Sequence, residues 1–373
     1  MAVSDRPRMP LSFVPQSSLG GGAMAISGGW TRRGVLAGAA AATGLAAIGR
    51  PAAAAACSQV VIGTWGGDYQ RLIAAHIEKP LMDPQRIEAI HDVGTSSARK
   101  TKLLAGRGAR RAAMDIACLS DLDTFELNQA GVLAPIDTGR VPSHANLLKP
   151  LVRPFAIAHI YSAKVIVYNP AKIKAAPQSF NDLWDPKYKG RVGLVDGHYA
   201  QNIESAALIS GGSMSDYEPG KAKLLELKKL SEPKVYPSNE ALAAALKSEE
   251  IWITLMFKAR GFMWKKSGIP VESATPKEGA TPYISDMAVA RNAENADCAW
   301  KYMEAMLKPE AQVGFADQMG YLPTVTNAKL PADLQKEIGF SEAEIAAFNL
   351  PDYGYVAKNA APLLEWWNKS FKG

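Results

Sequence analysis

The chain has 373 residues, 47% of them hydrophobic and 21% charged, which describes a soluble globular protein with material for two domains of ordinary size. Its formal net charge is +6, but Met1 to Ala56 holds five Arg against one Asp and leaves 37 basic and 35 acidic residues in the remainder. That near-neutral balance, with no Lys/Arg stripe interleaved with aromatics, excludes nucleic acid as an expected partner.

In chain order, Thr31-Arg32-Arg33-Gly34-Val35-Leu36 is a twin-arginine pattern, followed by an Ala/Gly-rich apolar stretch from Ala37 to Ile48 and small residues from Pro51 to Ala56. Residues 1–56 are therefore predicted to be a leader and twin-arginine export signal, with Met24 the more usual start for such a signal than Met1. The apolar stretch is too short and too rich in alanine for a stable membrane span. Cys57 follows the alanines as a lipoprotein cysteine would, but Ala54 stands where that pattern has Leu.

The stretch Gln59 to Tyr69, Q-V-V-I-G-T-W-G-G-D-Y, reads as a strand, a glycine turn and the start of a helix over about 69–79 with Leu72, Ile73 and Ile77 on one face. Trp65 stands at the C-terminal end of that strand, where open α/β sheets bind ligands, and is a candidate ligand wall; a core Trp under a tight turn is the plainer alternative. A polar helix over Ser96 to Ala105 follows, and the basic run from Arg99-Lys100 to Arg111 reads as solvated helix and loop. A strand at Asp115 to Leu119 leads into Ser120-Asp121-Leu122-Asp123, which resembles a capping box, and Gly131 ends that helix. This alternation predicts a parallel sheet with helices on both faces.

Ile157 to Tyr168 is a longer extended run than most strands and is suited to crossing between lobes. A second alternating block follows, with strands at 192–195 and 251–255 and helices near 199–210, 221–230 and 238–247. A strand at Ile284 to Ala290 returns the chain to the first block, and helices at about 295–307 and 309–319 precede a C-terminal helical region ending in Glu365-Trp366-Trp367. The two long runs set the expected division: 57–161 with 284–331 as lobe one, 162–283 with 332–373 as lobe two. Of the cysteines, Cys118 and Cys298 are expected as buried free thiols, with a disulfide between them the alternative in an exported protein.

The order and spacing resemble the periplasmic solute-binding proteins of ABC importers, in the branch of the spermidine/putrescine-binding proteins. The residues that carry this are T-W-G-G-D-Y (64–69), D-I-A-C-L-S (115–120), Y-S-A-K-V-I-V-Y-N (161–169), F-N-D-L-W-D-P-K-Y-K-G-R-V-G-L-V-D (180–196), P-Y-I-S-D-M-A-V (282–289) and G-Y-L-P (320–323). The loop D-L-W-D-P-K-Y-K-G is the most specific of them. The resemblance implies an α/β, two-lobed periplasmic binding protein fold of type II, with two crossing strands at the hinge and a ligand cleft between the lobes. It also implies a small organic solute as ligand, permease subunits of the inner membrane as partners, a periplasmic monomer, no cofactor and no metal, and no chemistry on the ligand.

The residues agree with a binder. None of G-x-S-x-G, H-E-x-x-H, C-x-x-C or G-x-x-x-x-G-K-[ST] occurs, and the five histidines share no metal-ligand spacing. Aromatic residues fall instead at strand ends, Trp65, Tyr161, Phe257, Tyr283 and Tyr321, as a cleft that sandwiches an organic ligand needs. The matching segments add Ser120 and Ser162 to the candidates. An exported enzyme or a metal-binding relative on the same fold is the alternative; iron-binding relatives commonly use adjacent tyrosines, and the chain has no Tyr-Tyr pair.

Departures from the polyamine pattern bear on the ligand. Its acidic pair falls on Gly197 and Ala200, with only Asp196 near, and a further acid falls on Ser285, with Asp286 displaced by one and facing the other side of a strand. Where the family has a Trp-Asn segment, the chain reads Phe257-Lys258-Ala259-Arg260. Carboxylates are lost and cations gained, which points to a zwitterionic or anionic ligand whose acid group meets Lys258 or Arg260. The alternative is that both cations point to solvent from the first turn of a helix. Asp68 and Asp121, just after strand ends, are the acids expected to hold an amine.

Overall fold

A computed structural model describes residues 57–373; the expected leader and twin-arginine signal lies outside the described residues. β1 (Gln59–Thr64) runs through the Gly66-Gly67 turn into α1 (Asp68–Ile73). The helix continues as a wider π-helical segment over Ala74–Met82, which contains Pro80, a residue with no N–H for an α-helical bond. β2 (Glu88–Val93) follows, then α2 (Ser96–Ala105), β3 (Ile116–Ser120) and α3 (Asp121–Gln129). The sequence pattern did not reveal β2, because it is an edge strand whose residues are all at least partly exposed.

The long β4 (Ile157–Tyr168) leads to β5 (Val192–Val195), α4 (Tyr199–Leu208), α5 (Glu218–Ser231), β6 (Lys234–Tyr236) and α6 (Asn239–Lys247). Then come β7 (Ile253–Phe257), α7 (Lys258–Lys266), β8 (Glu272–Ala274) and the second long strand, β9 (Thr281–Val289). The chain closes with α8 (Ala296–Met306), α9 (Pro309–Met319), the short β10 (Leu322–Pro323), α10 (Ala332–Ile338), α11 (Glu342–Ala346) and α12 (Tyr353–Trp366).

The strands form one sheet in the order β2-β1-β3-β9-β4-β7-β5-β6. Pairing is parallel among β1, β2 and β3 and among β5, β6 and β7, as βα alternation requires. The expected parallel sheet is interrupted at the centre, where β9, one of the two long strands, runs antiparallel to both β3 and β4. β4 changes neighbours midway. Along Ile157 to Lys164 it pairs with β9, and from Lys164 to Tyr168 with β7. Val60, Ile62, Leu72, Ile116 and Met303 share one apolar core beside β1 to β3, and Phe180, Trp184, Leu194, Tyr217 and Leu224 share another beside β5 to β7.

Two further expectations are corrected. Cys298 is paired with Cys57 in a disulfide, across a sequence separation of 241, while Cys118 is buried and free, its thiol pushed up to about 11 by burial. The reason is that α8 packs on β1 and brings Cys298 to the strand's leading end, whereas Cys118 sits mid-strand in β3. Arg99, read as part of a solvated basic run, is only 1% exposed.

Candidate functional site

Trp65 leaves β1 immediately before Gly66 and Gly67, and Gly67 has φ +65°, a conformation that side chains strain against. The indole is edge-on to Tyr69 at 4.8 Å between centroids, with the Arg99 guanidinium 4.6 Å from its ring centre. Arg99 donates to the carbonyls of Cys118 (2.6 Å), Thr64 (2.7 Å) and Gly94 (2.7 Å), so backbone dipoles from β3, the end of β1 and the residue after β2 fix the cation under the ring. Arg99 thereby sets the indole as a rigid wall.

Trp65 faces a hollow of about 350 Å³ that also takes in Asp68, Arg260, Tyr283, Ser285 and Tyr321. Tyr321 follows Gly320, which ends α9 at φ +68° where an added Cβ would collide with the Phe262 ring, so the Tyr321 ring is carried straight off a helix terminus into the cleft. The Tyr321 ring lies 6.0 Å from Tyr283, and Tyr283 lies 4.9 Å from Phe257. Arg260 has no hydrogen bond or ion pair among the described residues and is the cation on this lining. Asp68 is exposed and held by Arg71 at 3.1 Å, and the Ser285 hydroxyl is buried with no hydrogen-bond partner among the described residues.

On the other side of Tyr283 and Phe257 lies a smaller chamber of about 70 Å³, reached by Asp121, Lys164, Ala200, Glu204 and Tyr353. The Tyr353 hydroxyl donates to Asp121 Oδ2 at 3.1 Å. Burial pushes the Asp121 carboxyl up, against the opposing pull of Arg153 and the Tyr353 bond. Glu204 accepts from Thr281 Oγ1 at 2.6 Å and from the Tyr217 hydroxyl at 2.9 Å. His198, packed on Phe257 at 5.3 Å, is pushed down to about 3 by burial first and then by the fields of Lys164 and Arg260, so it stays neutral. Beyond the chamber Asp286, fully buried, is paired with Arg153, whose guanidinium lies 5.6 Å from the Tyr353 ring centre. Burial raises Asp286 to about 7 despite Arg153.

Of the residues singled out from sequence, Trp65, Asp68, Arg260, Tyr283, Ser285 and Tyr321 meet in the larger hollow, and Asp121 and Phe257 join Tyr283 in the chamber. Five others stand elsewhere. Tyr161 points to the opposite face of β4 and packs edge-on to Phe348. Ser162 accepts the Ala259 N–H at 3.0 Å and so holds the start of α7. Ser120 caps α3, its hydroxyl 3.0 Å from Asp123 Oδ2. Asp196 is taken by Trp367 Nε1 at 2.7 Å and by Lys372 at 2.9 Å, both from the C-terminal segment.

Lys258 is the most consequential correction. Its ammonium donates to the carbonyl of Gly339 at the end of α10 and lies 4.6 Å from the Phe340 ring centre, facing a separate hollow of about 400 Å³. That hollow is edged by Lys265, Glu272 and Glu337, which satisfy one another. Sequence reasoning also missed Arg99, Lys164, Glu204, Arg153 and Tyr353. Among the described residues no group of three or more His, Cys, Asp or Glu stands together as a metal site, and no helix is long and apolar enough to cross a membrane.

Ring-walled hollows between the two halves of a strand-crossed sheet, at the C-terminal ends of its parallel strands, define a ligand-binding protein of the two-lobed α/β class. The chain belongs to the bacterial extracellular solute-binding proteins, whose family model matches residues 98–342. It is similar to the spermidine/putrescine-binding periplasmic protein of Escherichia coli, 26% identical over 230 residues that span 58% of this chain and 66% of that one. Among solved structures it is similar to the spermidine/putrescine ABC transporter substrate-binding protein of Streptococcus pneumoniae, with TM-score 0.71, 21% identity, and coverage of 85% of this chain and 100% of that one. A GABA receptor structure matches with TM-score 0.72, 20% identity, and coverage of 83% and 96%.

Proposed function

We propose that the mature protein is the periplasmic receptor of an ABC importer. Two lobes, 57–161 with 284–331 and 162–283 with 332–373, close over a small organic solute, and the closed form docks on permease subunits in the inner membrane. The protein works as a monomer without a cofactor, leaves its ligand unchanged, and is exported through the signal at Thr31-Arg32-Arg33. Changing Arg32 and Arg33 both to Lys should leave the precursor in the cytoplasm; normal export of that variant would refute this route.

The ligand on this reading is a small amine that also carries an acid group. The observation behind it is Arg260, a cation without a protein partner among the described residues, standing among rings in a hollow whose one carboxylate, Asp68, is already held by Arg71. A charge-assisted hydrogen bond there contributes roughly 1.5–3 kcal/mol. The rings serve the amine through cation–π attraction of roughly 0.5–2 kcal/mol. Asp121, bonded by Tyr353, is the carboxylate available to the same ammonium. Of the two structures above, one is named for spermidine/putrescine and the other for GABA, so the fold serves ligands with and without an acid group.

The test is calorimetric titration with putrescine, spermidine, γ-aminobutyrate and aminoethylphosphonate. Binding is expected for the acid-bearing amines and should weaken by roughly tenfold to a hundredfold in Arg260→Ala. Tight polyamine binding that survives Arg260→Ala overturns the reading.

A further inference from the structure

The small chamber holds what a cage for an organic ammonium needs: aromatic walls from Phe257, Tyr283 and Tyr353, and the carboxylates of Asp121 and Glu204. It also holds an ammonium of the protein's own. Lys164 is 0% exposed, lines the chamber, and its ammonium has, among the described residues, a single hydrogen bond, a long 3.5 Å contact to Asn202 Oδ1. No carboxylate is in ion-pair contact with it among the described residues, although Glu204 is near enough for each to feel the other's charge. We propose that Lys164 is a specificity-determining residue, whose side chain fills the chamber as a built-in alkylammonium and so denies it to the second amine of a diamine ligand.

The placement follows from topology. Lys164 lies at the one point where β4 pairs with both long-strand neighbours, Thr281 of β9 on one edge and Phe257 of β7 on the other, and its side chain leaves the sheet into the chamber that these two residues also line. Thr281 and Tyr217 both donate to Glu204, so that carboxylate is fixed in place toward the chamber. Burial pushes the Lys164 ammonium down and the Glu204 carboxyl up, and each opposes the other's shift, as expected of opposite charges sharing a desolvated space. What is left, about 70 Å³, has room for about two waters and not for a further charged group with its stem. A diamine entering past Tyr283 meets a like charge in a desolvated pocket, which is costly. A ligand with one amine can stop at Asp121 and keep its acid end on Arg260.

This inference rests on the reading of the cleft as a solute site, and its variants separate the two. Lys164→Ala uncovers Glu204 and opens space for one aminoalkyl arm. Putrescine affinity, read by calorimetry and thermal shift, should rise at least about tenfold over wild type, the effect of one charge-assisted contact. Adding Glu204→Gln should cancel the gain. Lys164→Met, which fills the space without charge, should show none. A second variant, Lys164→Ser, also shortens the stem and removes the charge while keeping a polar group, and should likewise raise putrescine affinity about tenfold. It carries the test if Lys164→Ala fails to fold. A folded Lys164→Ala protein that still binds γ-aminobutyrate but gains no putrescine affinity overturns the inference and leaves the solute reading intact. Tight putrescine binding by the wild type overturns the inference and leaves the solute reading intact, whereas no binding of any of these solutes by wild type or variants overturns the solute reading.

Discussion

The two compartments either side of Tyr283 are built from the same residue types and manage charge in opposite ways. In the larger hollow Arg260 stands without a partner among the described residues and Asp68 is exposed, so the charges keep access to water. In the chamber and behind it Lys164, Glu204, Asp121, Asp286 and Arg153 are desolvated and lean on one another. Removing a desolvated charge strands its neighbour, whereas removing a solvated one strands nothing. The Arg153–Asp286 pair should therefore govern stability, and Arg260 affinity.

The largest expected effect is at Arg153. Arg153→Ala leaves Asp286 buried without a counter-charge and should cost about 3–5 kcal/mol in urea unfolding, most of it recovered by adding Asp286→Asn. The same pair gives a pH signature. Asp286 titrates at about 7 in the folded protein, above the ordinary carboxyl value of about 4, so between those limits the native state binds more protons than the unfolded one. Stability should rise as pH falls from about 7 toward 4, and Asp286→Asn should flatten that slope; a slope of the opposite sign in the wild type, unaltered in the variant, contradicts the assignment.

Next in size is Arg260→Ala, expected to weaken an acid-bearing ligand by about 1.5–3 kcal/mol while shifting stability by less than about 0.5 kcal/mol. A large loss of stability with affinity intact would erase the contrast between compartments. Trp65→Ala should follow at roughly 0.5–2 kcal/mol of affinity, because it removes one ring wall. The smallest effect belongs to Lys258→Ala, which should leave affinity unchanged and lower stability by at most about 1.5 kcal/mol through its bond to Gly339. A matched affinity loss in Lys258→Ala and Arg260→Ala would put both cations in the cleft.

That last pair shows what could be read from the sequence. The strand, turn and helix around Trp65, the long runs of β4 and β9, and the aromatics at the ends of β1 and β7 were legible because period and turn chemistry are local, whereas Tyr161 and Tyr283, also expected at strand ends, lie inside β4 and β9. Which of Lys258 and Arg260 faces the ligand was not, since residues two apart on a helix point to nearly opposite sides and the answer depends on how α7 sits on β4. The same limit applied to Tyr161, where strand alternation sends neighbours to opposite faces and nothing local says which face is the cleft. Arg99, Arg153 and Tyr353 were invisible for a further reason: each acts on a residue at least 34 positions away or through backbone carbonyls. The edge strand β2 was hidden by its mixed exposure.

The disulfide between Cys57 and Cys298 bears on how the mature end of the chain is made. Cys57 is the first described residue, and its sulfur is committed to α8. A sulfur in a disulfide cannot also carry a thioether lipid, so the bridge and lipidation at Cys57 are mutually exclusive fates of one atom. A peptidase that cut after Cys57 would discard one half of the bridge, whereas one that cut before it would keep a cross-link tying the start of β1 to a helix formed 241 residues later. The position of that single cysteine thus sets the downstream limit for processing, at its own N-terminal peptide bond, in any mature form that retains the bridge.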